Sequence, residues 1–281
     1  MNLKQLSPLR YPGGKVKVLD YIIQVIGKNN AVGSEYVEPY AGGAAVALGL
    51  LIGGHVSRIH INDLDLGIYN FWNSIINDTD QFIKKIEDTP VDVNEWLKQK
   101  AIYKNIDEHS SLESGFATFY LNRCNRSGIL TAGCIGGKEQ KSDYKIDARF
   151  NKTELIKRIK LIASFRDKIS LYNQDTLTLL KANTKNFNKM VLYLDPPYYV
   201  KGASLYKNFY SHEDHVSISQ FLRSVDGVWI VSYDDVPDIV DIYSDFKKRR
   251  FSLSYSAGSK KRGKEIMFFS NNLIIPRSSI A

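Results

Sequence analysis

The sequence predicts an α/β fold: an open sheet with helices on both faces, plus a mostly helical inserted segment. Three observations predict it. Short apolar runs alternate with helical spacing at 35–51, at 57–75 and again from 152 onward, the rhythm of strand–helix–strand units. The runs end in acidic, Gly or Pro turns at Glu38-Pro39, Asp63, Asp175 and Asp195-Pro196-Pro197. Between 78 and 151 the alternation stops, and helical patterns and a polar stretch replace it. The expected domains are therefore 1–77 with 152–281 as the sheet domain, and 78–151 as the insertion.

The elements follow in order. Ser7 to Lys15 is a tight loop marked by Pro and Gly, and Val16, Leu19, Ile22, Ile23 and Ile26 continue it at helical spacing. A phosphate loop is disfavoured, because the P-loop spacing is incomplete and no Ser or Thr follows Lys15. The backbone at Gly13 can approach a ligand, with Lys15 at the helix start; a plain connector is the alternative. Glu35 to Leu51 reads as strand, glycine turn and Ala-rich helix, the logic of a first nucleotide-binding βα unit. Small residues such as Gly42 let the backbone pass close to a ligand. The G-x-G-x-x-G fingerprint is absent. Glu38 and Pro39 put a carboxylate at the mouth of the turn, which suits a cationic or hydroxyl-bearing cofactor and repels a diphosphate.

A second strand, from Ser57, ends at Asp63, where an acid commonly binds ribose hydroxyls. Asn62, Asp63 or Asp65 can instead cap the helix carrying Ile68, Phe71, Trp72 and Ile75. Val93 to Ile106 and Leu112 to Cys124 read as amphipathic helices. A long polar loop from Asn125 to Asn151 follows, and such loops are usually functional or mobile. Arg123, Asn125, Arg126, Ser127 and Lys138 are of the types that contact phosphates and base edges. A solvated surface excursion is the alternative.

The α/β rhythm resumes with a helix over Leu155–Phe165 and a strand over Ile169–Tyr172 that ends at Asp175. After another helix comes the strand Val191–Leu194, closed by Asp195-Pro196-Pro197-Tyr198. Ser211–Leu222 reads as helix, Gly227–Ser232 as strand and Val236–Tyr243 as a short helix. Arg250–Tyr255 and Glu265–Ser270 form a terminal hairpin. Its turn, Ala257 to Lys264, is a basic tip carrying Lys260, Lys261 and Arg262, or simply an exposed hairpin end.

Composition narrows the partners. A net charge of +8 and a pI of about 9.2 fit a nucleic-acid partner, although solubility alone also produces them. Cys124 and Cys134 make no metal-type pair and the five histidines complete no cluster, so no metal and reduced thiols are expected. No apolar run approaches the ~20 residues that span a bilayer. Met1 to Leu9 has no leader pattern. A cytoplasmic protein without a membrane partner is expected, as a monomer or weak dimer.

The Asp195 turn carries the sharpest chemistry. A carboxylate closes a buried strand, two prolines remove backbone donors, and Tyr198 and Tyr199 add flat aromatic surface. An acceptor carboxylate, a rigid carbonyl and a stacking ring suit an amino group on a planar base. An ordinary strand with a proline turn is the alternative.

Six motifs in order carry a resemblance: Arg10-Tyr11-Pro12-Gly13-Gly14-Lys15, Val37-Glu38-Pro39-Tyr40-Ala41-Gly42-Gly43, Asn62-Asp63, Leu121-Asn122-Arg123, Asn173-Gln174-Asp175 and Asp195-Pro196-Pro197-Tyr198. Together they cover almost the whole chain, which resembles the Dam-type (class alpha) adenine-specific DNA methyltransferases. The resemblance implies a Rossmann-like sheet that binds S-adenosyl-L-methionine (SAM), with a target-recognition segment at 78–151. It implies that Tyr11, Gly13 and Lys15 lie against SAM from the N-terminal loop. The turn of Glu38, Pro39 and Gly42 would cradle the methionine part, Asp63 the ribose hydroxyls, and Asp175 would lie near the adenine ring. The catalytic turn would be Asp195, Pro196, Pro197 and Tyr198, acting on an adenine flipped out of double-stranded DNA. Tyr11 stands where the family usually has Trp, Tyr40 where it often has Phe, and the usual Gly-x-Phe-Asn-x-Pro run is missing after Arg126. The family's target sequence is therefore not carried over. Because the same turn serves any planar amine, a cytosine-amino or RNA methyltransferase is an alternative, as is an inactive nucleic-acid-binding relative.

Overall fold

The computed structural model describes residues 2–10, 15–182, 189–200, 210–255 and 261–280. By packing, the chain divides into two units. One comprises Met1–Gln5, Lys15–Leu64 and Lys168–Ala281, and the other Leu6–Gly14 and Asp65–Asp167.

The first unit is built on a seven-stranded sheet: β1 (Glu35–Glu38), β2 (Arg58–Asn62), β3 (Ile169–Tyr172), β4 (Met190–Leu194), β5 (Val228–Asp234), β6 (Lys247–Tyr255) and β7 (Lys261–Phe269). Their order is β3-β2-β1-β4-β5-β7-β6. β1 to β5 run parallel, and β7 is antiparallel to both β5 and β6. Val191 to Leu194 and Trp229 to Val231 are all buried, as expected of central parallel strands covered on both faces. The helices of this unit are α1 (Leu19–Lys28) and α2 (Ala45–Ile52), with others after β3 and β4. α2 is apolar on nearly every side, and its Gly49 lets Leu19 of α1 press against it. The expected α/β sheet is thus the observed one.

The second unit is helical: α3 (Leu66–Asn77), α4 (Thr79–Asp88), α5 (Val93–Lys104), α6 (Ser111–Cys124) and α7 (Lys152–Ala163). Its boundaries lie outside 78–151 at both ends. α3 packs on α6 and α7, and α4 on α7, so both flanking helices join this core rather than the sheet. The core is aromatic. Phe71 stacks on Phe119 at 5.8 Å, and Phe82 meets Phe116 edge-on at 5.6 Å. α6 is not the amphipathic helix expected, since Ser114 to Asn122 is buried without a break. A capping box of Ser110 and Glu113 starts it. α4, unforeseen in the sequence, buries Phe82, Ile83 and Ile86.

α8 (Thr176–Ala182) follows β3, α9 (His212–Arg223) follows β4, and α10 (Pro237–Ile242) follows β5. Ile218, Phe221 and Leu222 of α9 pack against Leu192, Leu194, Trp229 and Val231. The terminal hairpin is longer than expected. Lys261 and Arg262 lie on β7, paired with Tyr255 and Ser254, rather than in a basic turn. Lys260, Tyr11 and Gly13 lie outside the described residues. No described helix is long and apolar enough to cross a membrane.

Candidate functional site

The chain winds from β1 outward through β2 to β3, then returns to place β4 on the other side of β1. This reversal makes a topological switch point between β1 and β4, where open α/β sheets bind ligands outside the carboxyl ends of the strands. The parallel register brings the strand ends to one edge: Glu38 pairs with Ile61, Asn62 with Tyr172 and Val37 with Leu192. The turns after Glu38 and after Leu194 therefore flank the switch point.

At the β4 end, Asp195 Oδ1 accepts from Ser232 Oγ at 2.8 Å, and Ser232 Oγ lies 2.9 Å from Tyr193 Oη. The same Oδ1 is 3.0 Å from Lys15 Nζ. Lys15 is buried, with its side chain 4% exposed, whereas that of Asp195 is 22% exposed. Lys15 Nζ also donates to Tyr198 Oη at 3.2 Å and lies 4.9 Å from the ring centroid. Tyr198 Oη in turn donates to Glu265 Oε1 at 3.0 Å. Glu265, on β7, is 2% exposed, and its Oε2 is 3.6 Å from Lys15 Nζ. Pro196 is buried and Pro197 half-buried. The Tyr199 amide donates to Asp234 Oδ1 at 3.0 Å, which anchors the far side of the turn on β5. Sequence reasoning missed Glu265, Ser232 and Tyr193. A signal existed for Glu265, an acid opening the otherwise apolar run Ile266 to Phe269.

At the β1 end, Glu38 Oε2 accepts from the Ala47 amide at 3.0 Å and from Tyr36 Oη at 3.2 Å. Burial pushes its carboxyl up to about 8; the Ala47 hydrogen bond opposes this and the Asp195 charge adds to it. Gly42 and Ala44 are both left-handed, at φ 45°, so the chain turns tightly here. Asp63 Oδ2 accepts from the Gly42 amide at 2.8 Å and thereby braces this turn. Asn62 ties three strand ends together: its Nδ2 donates to the Pro39 and Gln174 carbonyls and its Oδ1 accepts from the Gln174 amide. Of the three candidate caps, Asp65 caps α3, through the Gly67 and Ile68 amides. Asp175 caps α8, accepting from the Thr178 amide at 2.9 Å.

The basic candidates of the middle segment fall in the helical unit. Asn122 accepts from the Arg10 amide and donates to the Arg10 and Gly128 carbonyls, locking the N-terminal segment to the loop after α6. Arg123 donates to the Arg149 and Pro8 carbonyls, Arg158 to Ser7 and Arg10 to Asn125. Burial, then the like charges of Arg10, Arg158 and Arg149, lower the Arg123 pKa. Among the described residues none of these four arginines forms an ion pair, so their charge converges uncompensated. Arg126 and Lys138 are exposed, and Ser127 is left-handed at φ 57°. Asn125 departs from the reading as a DNA contact. It is buried, and its amide is spent on Trp96 Nε1 and the Ile129 and Leu130 carbonyls. Cys124 and Cys134 are buried free thiols, and Cys134 pairs with Asn125 in an isolated antiparallel bridge.

The chain is similar to several known proteins. M.MjaIII of Methanocaldococcus jannaschii, a Type II methyltransferase, is 22% identical over 242 residues, 78% of this chain and 79% of its own. Among solved structures, a Pyrococcus horikoshii protein described as a candidate RNA methyltransferase has a TM-score of 0.44 at 9% identity, covering 95% of this chain and 89% of that one. A Listeria monocytogenes protein, described as a candidate class I S-adenosylmethionine-dependent methyltransferase, has a TM-score of 0.40 at 12% identity, covering 94% and 62%. The model of the D12 class N6 adenine-specific DNA methyltransferases matches residues 11–255, from the N-terminal loop through the glycine turn and the Asp195 turn into β6. By that match the chain belongs to the D12 class N6 adenine-specific DNA methyltransferase family.

Proposed function

We propose that the protein transfers a methyl group from SAM to the exocyclic amino group of an adenine flipped out of double-stranded DNA. The observation that carries this reading is the position of Asp195. A partly exposed carboxylate, fixed by Ser232, closes β4 at the switch point, and Tyr198 stands beside it.

The residues at the β1 end fit SAM. Asp63 lines the turn and the buried Glu38 backs it; a cationic ligand favours the Glu38 carboxylate, so the pair suits an ammonium, a sulfonium and hydroxyls. Glu38, Pro39, Gly42 and Asp63 would hold the cofactor, with Lys15 nearby, Asp175 toward its adenine, and Tyr11 and Gly13 from the loop. When bound, SAM supplies an electrophilic methyl group on positively charged sulfur.

The chain's own residues then act on the base. Adenine's amine is a poor nucleophile because its lone pair is delocalised into the ring. Asp195 and the Pro196 carbonyl accept its two hydrogens, which localises the lone pair and aims it. Pro197 keeps that carbonyl rigid, and Tyr198 packs on the flipped ring. Unstacking the base costs a few kcal/mol. Phosphate contacts offset this cost, and the uncompensated arginines Arg10, Arg123, Arg149 and Arg158, together with Arg126, Ser127 and Lys138, supply them. Lys260, Lys261 and Arg262 of the hairpin add charge. In this reading the sheet unit carries cofactor and chemistry, and the helical unit selects the target.

Asp195→Ala tests the reading. Methyl transfer to duplex DNA falls by at least about a hundredfold, the worth of a positioned acid–base group, while DNA binding in a mobility-shift assay persists. Near-normal turnover in this variant contradicts the assignment.

A further inference from the structure

Lys15 and Asp195 pose a problem for the reaction just described. The Lys15 ammonium sits 3.0 Å from the carboxylate that must receive the adenine amine. It competes with that amine for the acceptor. It also opposes the positive charge that the amine nitrogen gains as a methyl group is added. A second carboxylate stands ready on the other side. Glu265 Oε2 is 3.6 Å from the same ammonium, an ion-pair distance but longer than a hydrogen bond. Its partner oxygen Oε1 is held by Tyr198 Oη at 3.0 Å, so the acid is fixed in orientation through the catalytic turn itself. Glu265 is buried on β7, which pairs with β5 beside β4. A buried acid beside a buried lysine is costly to keep unless the pair has work to do.

We infer that Glu265 is a positioning residue that takes up the Lys15 ammonium when the adenine amine displaces it from Asp195. Before the base arrives, Lys15 is ion-paired with Asp195. On arrival the ammonium shifts by a short side-chain movement toward Glu265 Oε2. Asp195 is then free to accept from the amine, and the cation is held off the reacting nitrogen. Tyr198 couples the two states, since its hydroxyl touches both Lys15 and Glu265. No bond is made or broken in this exchange; only hydrogen-bond partners change. The inference rests on the reading that Asp195 receives the adenine amine.

The test is a double-substitution cycle of Glu265→Gln and Lys15→Met, assayed at saturating SAM on PCR-amplified, unmethylated duplex DNA. Glu265→Gln keeps the shape and the acceptor for Tyr198 but removes the charge that receives Lys15. Its KM for DNA rises about tenfold to a hundredfold, the worth of one hydrogen bond to a charged group, by more than its kcat falls. Lys15→Met removes the occupant, so adding Glu265→Gln to it changes KM little: the two substitutions are non-additive. Thermal unfolding reports whether each variant folds. Should Glu265→Gln not fold, Lys15→Met alone decides, with a KM for DNA at or below that of the wild type. Additive effects in the cycle, an unchanged KM in Glu265→Gln, or a raised KM in Lys15→Met overturn the inference. Absence of adenine methylation by the wild type fails the underlying reading instead, which separates the two.

Discussion

Glu38 is a carboxyl where a carboxylate is expensive. Burial is the main cause of its rise to about 8, and the hydrogen bonds from Ala47 and Tyr36 offset it only in part. Below about pH 4.5, its ordinary value, the group is protonated in the folded and the unfolded chain alike. Between about 4.5 and 8 the unfolded chain releases the proton and the folded chain keeps it, so stability falls as pH rises through this window. Urea unfolding at pH 5 and pH 8 measures this: relative to Glu38→Gln, the wild type loses on the order of a few kcal/mol. Parallel losses in the two proteins count against it. The same group links to the proposed cofactor. A cationic ligand at the turn favours the carboxylate, so SAM binding at pH 7 releases protons in the wild type and not in Glu38→Gln, as calorimetry in two buffers of different ionisation enthalpy would read.

α3 and α6 meet where side chains are absent. A Cβ on Gly115 would lie 2.4 Å from the Asn70 carbonyl oxygen, a backbone atom that cannot turn aside. Gly115→Ala is expected to destabilise the helical unit by about 1–3 kcal/mol despite the better helix propensity of Ala, seen as a lower urea midpoint. An unchanged midpoint would show that the helices can part. This contact also explains what the sequence concealed. The sheet was legible because several parallel strands are short runs of apolar residues that stop at an acid: Glu38, Asp63, Asp175 and Asp195. α6 was misread because a helix buried on all sides has no polar face to mark its period, and α4 because Phe82, Ile83 and Ile86 stand among charged residues. The hairpin ran longer than expected because Lys261 and Arg262 are charged residues on a paired strand, which composition alone assigns to a turn.

Across the whole molecule, the chemistry depends on residues far apart in sequence. Lys15, Asp195, Ser232 and Glu265 come together only because β4 returns beside β1 and β7 inserts next to β5. The Asp195 turn could be read locally; its partners could not, because no local pattern links position 15 to position 265. Asn125 shows the opposite error, a polar residue beside a basic loop whose amide proves fully used inside. The chain belongs to an adenine-specific DNA methyltransferase family, and the central claim is that it acts on adenine flipped out of duplex DNA. Its most direct measurement is nucleoside mass spectrometry of unmethylated duplex DNA after incubation with the protein and isotopically labelled SAM. The account predicts labelled N6-methyldeoxyadenosine, present with the wild type and absent with Asp195→Ala; label found only on cytosine, only in RNA, or equally in both proteins would contradict it.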